Sequence, residues 1–316
     1  MGTPDKDYYS HCLQADLKSA IKAISKESRS DSKKVISLRK KVMSRFVEQN
    51  EQLRIKCKDP FVSTVIATYR DYYRKVLLQP GRSEQLSTSL YSSLRIILAD
   101  SDQKQTAKYS SDKIEKKLSE EIRKRGYYSL FGSVTPFRSL LVWKKQYSKI
   151  YTVSLPEKKQ KIEVVFMDDF VELSWMHYAT LGRYYVGGWA KKNALYCIKQ
   201  AYKVGSPEFQ AHYLAHEAQH FADYKSFPKL QQTDLEYRAK LTELAVTKTP
   251  KKFIQKLKSE SKNDRQLPHC FAAFKIISEL KPGQPPASLN KFGHELLSIH
   301  TKALKKAGAK TVRSVI

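Results

Sequence analysis

The 316-residue sequence is poor in long apolar runs. Apolar runs such as residues 164–167 and 272–274 stop far short of the ~20 residues a membrane-spanning helix requires, so a soluble chain is expected. Cysteine is scarce, and Cys12, Cys57, Cys197 and Cys270 include no CxxC pair, which argues against a structural zinc ribbon. Two disulfides stay open, with Cys12 and Cys57 the natural local pair in an oxidising compartment. Eleven Gly and twelve Pro follow no period, which excludes collagen-like and low-complexity classes. Nothing repeats at solenoid spacing. A glycine-rich phosphate loop, a GxSxG elbow and a Rossmann fingerprint are also missing, which disfavours a nucleotide enzyme. What remains is 41% hydrophobic and 11% aromatic. That is enough for one large core or two modest ones and rules out a disordered tail.

Acidic residues are few: 31 Asp and Glu stand against 58 Lys and Arg, a formal charge of +27. The excess is uneven. Residues 1–150 hold 31 basic and 16 acidic side chains, residues 151–250 hold 13 and 11, and residues 251–316 hold 14 and 4. Basic flanks around a nearly neutral middle suit an anionic surface, whether nucleic acid, lipid headgroups or an acidic cell wall. The plainer alternative is a set of solvated lysine faces. The start, Met1-Gly2-Thr3-Pro4-Asp5-Lys6, lacks the apolar stretch of a signal peptide, and Lys6 breaks the myristoylation pattern. Either a cytosolic protein or one whose leader has been removed fits.

Apolar spacing predicts helices over residues 9–24, 32–47, 62–78, 84–98 and 112–125, with Asp112 and Glu115 resembling a capping box. After Gly126 the character turns to strands, over 137–143, 149–155 and 161–167, with Pro156-Glu157-Lys158-Lys159 as a hairpin connection. A further pair is expected at 184–190 and 193–199, where Gly187-Gly188 lets another backbone approach closely. Helical pattern returns at Ser206, a capping residue followed by Pro207 at the first helical position, and runs to about Tyr224. Later helices start at Thr233, near Lys251, near Pro268 and at Ser288, the last after the Pro282-Gly283-Gln284-Pro285-Pro286 break. The expected organisation is a helical domain or subdomain over 1–125, a β-rich half-domain over 126–205 and a helical half over 206–316.

The helix from Ser206 contains His216-Glu217-Ala218-Gln219-His220, an HExxH pattern. Histidines four apart lie ~40° apart around the helix axis, one turn above the other, so both imidazoles can reach one ion. Glu217 projects to the side, where a carboxylate can act on water as a general base without being a ligand. Glu236 lies near the start of the following helix, and a turn through Pro228 can fold that helix back on the first. A third ligand from a neighbouring helix leaves one tetrahedral position open, the pattern of a catalytic rather than a structural zinc. No other cluster of His, Cys and carboxylates competes.

These residues resemble the HExxH zinc metallopeptidases, and specifically the gluzincin type, over roughly residues 180–280. The resemblance implies an α+β, helix-rich chain with a zincin-like core: a small mixed sheet with an edge strand, then the HExxH helix, then a second ligand-bearing helix, here preceded by an N-terminal helical segment. It implies one zinc ion per chain held by His216, His220 and Glu236, with Glu217 as general base in peptide-bond hydrolysis. It also implies a peptide or protein substrate lying along the edge strand, a place that residues 193–199 occupy. His269, in Asp264-Arg265-Gln266-Leu267-Pro268-His269 before an apolar helix, matches a helix-start histidine that stabilises the oxyanion in thermolysin-like members. A secreted or periplasmic hydrolase without its leader is the favoured localisation.

Several assignments stay open. Thr233-Asp234-Leu235-Glu236 is itself a capping-box pattern. Glu243, seven positions on and on the same face, is the reserve third ligand, and Asp234 a weaker one. Asp223 either orients the His220 ring or ligates directly. His212, one turn before His216, reads as an access-side or packed histidine. His294 and His300 are six apart, ~240° around a helix, and cannot chelate one ion together. Two rival readings remain: a basic binding protein for nucleic acid or an anionic envelope with a structural or vestigial metal site, and a zinc hydrolase acting on cell-wall peptides.

Overall fold

The computed structural model describes residues 3–25, 31–48, 55–99, 108–134, 136–280 and 288–316. The chain is α+β, 60% helical, with one curled mixed sheet in the order β1-β2-β3-β5-β4. The strands are β1 (Tyr128–Val134), β2 (Phe137–Ser154), β3 (Lys159–Leu173), β4 (Gly188–Ala190) and β5 (Leu195–Ile198). Two compact units form: residues 1–146 with 168–185, and residues 147–167 with 186–316. Segment 206–316 falls wholly in the second unit, whereas segment 126–205 contributes to both. Among the described residues no helix is long and apolar enough to cross a membrane.

The first unit is built on the helix Pro60–Leu78, which Asp59 caps by accepting from the Val62 amide at 2.9 Å. Its buried face presents Val62, Val65, Ile66, Tyr69, Tyr73 and Val76 to a core shared with Tyr8, Leu94, Ile114, Leu118 and Trp175. The helix expected over 9–24 is two helices, Pro4–Leu13 and Leu17–Ser25. Asp16 Oδ1 accepts from the Ser19 amide at 3.0 Å and starts the second, while Ala15 takes φ 58° at the break. The helix Ser111–Lys124 is capped by Ser110, which accepts from the Lys113 amide, and not by Asp112. Cys12 and Cys57 do not pair; all four cysteines are thiols.

β2 is one strand where two were expected, because residues 144–150 are exposed on both faces and leave no alternation to read. β1 precedes it, antiparallel, with Leu130 opposite Leu141. In the second unit the hairpin between β2 and β3 closes as expected, with the Leu155 amide donating to the Lys158 carbonyl at 2.9 Å. β5 runs parallel to β3, pairing Phe166 with Cys197, and β4 runs antiparallel to β5, pairing Trp189 with Tyr196. The edge is therefore β4, not residues 193–199: β5 has a partner on each side. The second unit's later helices are Gln232–Val246, Pro250–Glu260, Pro268–Ser278 and Leu289–Lys306. The Pro282–Pro286 break lies outside the described residues.

Candidate metal centre

The motif helix starts as its sequence dictates. Ser206 Oγ accepts from the Phe209 amide at 3.1 Å, Pro207 takes the first helical position, and a wide π-type turn, Gln210–Ala215, leads into His216–Ser226. Such turns place extra residues on one face and are frequent beside functional sites. One face of this helix, with Phe209, Tyr213, Ala218 and Ala222, packs on Phe166, Leu195 and Cys197 of the sheet. The other carries a stripe of rings at four-residue spacing: His212, His216, His220 and Tyr224.

That stripe faces the helix Gln232–Val246, buried from Thr233 to Leu244. Its Glu236 carboxylate comes to 3.4 Å from His220 Nε2 and 3.6 Å from His216 Nε2, while the two Nε2 atoms lie 3.1 Å apart. These three ligand atoms lie within 4.8 Å of one another, and all three residues are buried. Two imidazole nitrogens at zinc-binding distance in tetrahedral geometry would stand ~3.4 Å apart. The donor set and its spacing thus fit a first-row divalent ion. So does Glu236 Oε2, which is buried without a hydrogen bond and meets only ring nitrogens at ion-pair distance, His269 Nδ1 at 2.8 Å and His216 Nε2 at 3.6 Å. Such an atom is uncommon in a folded interior.

Glu243 lies outside the three-residue cluster and holds His216 from its other ring nitrogen. Its carboxylate receives His216 Nδ1 at 2.5 Å and His212 Nδ1 at 2.7 Å, which turns His216 Nε2 toward Glu236. Burial alone would raise the Glu243 pKa, but the His216 charge and the two imidazole hydrogen bonds outweigh it and hold it at about 2. Glu236 is likewise held well below the usual carboxylate range: burial opposes ionisation, and His220 and His269 overcome it.

His269 joins the group. It sits in the first turn of the helix Pro268–Ser278, its Nδ1 2.8 Å from Glu236 Oε2 and its ring stacked on His216, with 66% of the side chain exposed. His212 stacks on Phe253 and touches only Glu243 of this set. Asp223 does not orient His220. It is paired with Arg238 at 2.8 Å and Gln219 at 3.0 Å. Asp234 takes His300 at 3.2 Å and the Val315 amide at 3.0 Å, away from the centre. The capping-box role does not apply either, since Gln231 is the cap position and Glu236 points into the cluster. His294 and His300 diverge, the first to the Pro156 carbonyl and the second to Asp234.

The centre lines a cleft of about 480 Å³ whose walls include Gly188, Trp189, Tyr202, His216, Glu217, Tyr224, Lys240 and His269. Glu217 is half-buried there, and among the described residues none hydrogen-bonds its carboxylate. The edge strand β4 forms one wall. A Cβ on Gly188 would collide with the Tyr196 backbone carbonyl oxygen, so only glycine at that position lets β4 lie this close to β5. Lys240 is buried yet stays charged: burial lowers its pKa, but Glu260, 3.0 Å away, and Glu243 more than compensate. Sequence reasoning missed Tyr224, whose ring stacks on His220. Its signal was present, because residue 224 continues the four-residue stripe. No protein-family model matches the chain, and no curated protein or solved structure is significantly similar to it.

Proposed function

We propose that this protein is a metallopeptidase of the zinc-dependent, gluzincin-like kind, with a zincin-like arrangement of edge strand, motif helix and ligand helix. The observation that carries the reading is the convergence of His216 Nε2, His220 Nε2 and the Glu236 carboxylate in a cleft that also holds an unpartnered Glu217. His216, His220 and Glu236 would hold one zinc-type ion, which when bound supplies Lewis acidity, polarising a carbonyl and acidifying water.

The chain's own residues do the rest. Glu217, one residue past the first ligand, removes a proton from the attacking water and returns it to the leaving nitrogen. Glu243 fixes the His216 tautomer by accepting from Nδ1. His269 Nδ1 faces Glu236 Oε2 at an ion-pair distance of 2.8 Å, which leaves Nε2 as its nitrogen for a developing oxyanion. β4 offers an extended peptide an open strand edge at the cleft wall.

The test is elemental analysis and turnover together. Wild-type protein equilibrated with excess zinc and desalted should retain one ion per chain, and His216→Ala should retain none. Glu217→Gln should keep the ion and lose about 10²–10⁴-fold in peptide hydrolysis. Wild-type protein that retains no zinc under these conditions overturns the reading.

A further inference from the structure

A second cavity, of about 700 Å³, shares two wall residues, Ala190 and Tyr224, with the metal-type cleft. Its wall carries Lys191, Lys192 and Lys225 and no carboxylate. Lys191 and Lys192 follow β4 in the turn to β5, which is pinned where the Lys191 amide donates to the Ala194 carbonyl at 2.9 Å. Lys225 stands in the last turn of the motif helix. Two of the ammonium groups rest on aromatic faces, Lys191 at 5.1 Å from the Tyr196 ring and Lys225 at 4.1 Å from the Phe221 ring. Among the described residues none of the three forms an ion pair.

The lysines of the metal-type cleft differ. Lys240 and Lys256 share Glu260, at 3.0 Å and 3.7 Å, so their charge is answered within the protein. Three lysines without an ion pair around one concavity repel each other and raise the positive potential there. An anion in the cavity reverses that cost. A peptide laid along β4 and continued past Ala190 reaches the Lys191–Lys192 turn within about three residues, ~10 Å.

Building on the peptidase reading, we propose that the substrate is an acidic peptide, with a carboxylate within about three residues of the scissile bond on the side that faces Lys191, Lys192 and Lys225. The shared chemistry is a carboxylate; an Asp or Glu side chain and a free C-terminus are its two sources.

The experiment compares fluorescent decapeptides bearing Asp/Glu, Asn/Gln or Lys at these positions, each as free acid and as C-terminal amide. Binding is read by anisotropy on zinc-loaded Glu217→Gln, and kcat/KM on zinc-loaded wild type. The same series is run on a triple variant, Lys191→Ser, Lys192→Ser and Lys225→Ser, whose melting temperature should match the wild type. Acidic peptides should bind at least tenfold tighter than their amide isosteres, less so at high salt. The triple variant should lose that preference while cleaving neutral peptides at the wild-type rate. An Asp/Glu preference that persists in amidated peptides assigns the side chain, and a preference confined to free acids assigns the terminus. Equal binding of acidic and neutral peptides overturns the proposal, as does a preference that survives in the triple variant. So does lysine-dependent binding of RNA or anionic vesicles with indifference to peptide charge. Absence of any zinc-dependent cleavage, by contrast, overturns the peptidase reading itself.

Discussion

The two helices that meet at the candidate centre also meet at a second buried charged cluster, and the two clusters are opposites. In the second, Asp223 of the motif helix and Arg238 of the next helix pair at 2.8 Å, each side chain 2% exposed. Arg238 also donates to Thr301 at 2.8 Å and lies 3.4 Å from His300 Nδ1, while His300 Nε2 and the Val315 amide reach Asp234. Charge there is distributed over partners until each group is answered, which makes the cluster a brace between helices. At His216, His220 and Glu236 the same two backbones bring ligand-type atoms toward one another, and Glu236 Oε2 has ring nitrogens at ion-pair distance but no hydrogen bond. Buried polar groups that answer one another fix a fold, whereas groups that converge without doing so mark a place where a ligand can be held.

The contrast predicts unequal costs of truncation. Arg238→Ala leaves Asp223 buried and uncompensated, and should destabilise the protein by ~3–5 kcal/mol in urea unfolding. His220→Ala, measured in chelator, should cost less, ~1–2 kcal/mol, because Glu236 loses the His220 contact but keeps His269 at 2.8 Å. Equal costs would erase the distinction between brace and site.

A smaller effect sharpens the boundary between them. Glu243 is fully satisfied yet belongs to the centre, since it accepts from Nδ1 of both His212 and His216. Glu243→Gln should keep the fold and weaken zinc binding by about 10–100-fold in competition titration against a chromophoric chelator. Loss of all binding would instead make Glu243 a ligand.

How much of this was legible in the sequence follows from how local each signal is. The motif helix was readable to within a few residues, because Ser206, Pro207 and the ring stripe act within a turn of where they stand. Glu236 was preferred and Glu243 held in reserve, but seven residues apart they share a face, and only the packing of the two helices sets which carboxylate lies near both Nε2 atoms. Asp223 was misread for the same reason, since its partner Arg238 comes from another helix. The edge strand was misplaced because strand order is non-local. Residues 193–199 and 188–190 look alike as short strands, and nothing in either says that β3 pairs with the later one. The missed break at Ala15 was local, and its signal was Asp16 three residues before Ser19.

The smallest expected effect concerns acid and belongs to the brace alone. Asp234 is held below the ordinary carboxylate range: burial pushes it up, but His300, Ser314 and the Val315 amide pull it down further. A carboxylate whose folded pKa is depressed adds stability above its unfolded pKa, near 4, and loses that contribution as the pH falls through the folded value. Stability should therefore decline below about pH 4, with no more than ~1.4 kcal/mol per pH unit attributable to this one proton. Asp234→Asn removes the titration, so the difference between wild-type and variant unfolding free energies should shrink as the pH drops and be insensitive to added zinc. A difference that stays constant from pH 6 to pH 3, or that zinc changes, would mean that Asp234 serves the centre rather than the brace.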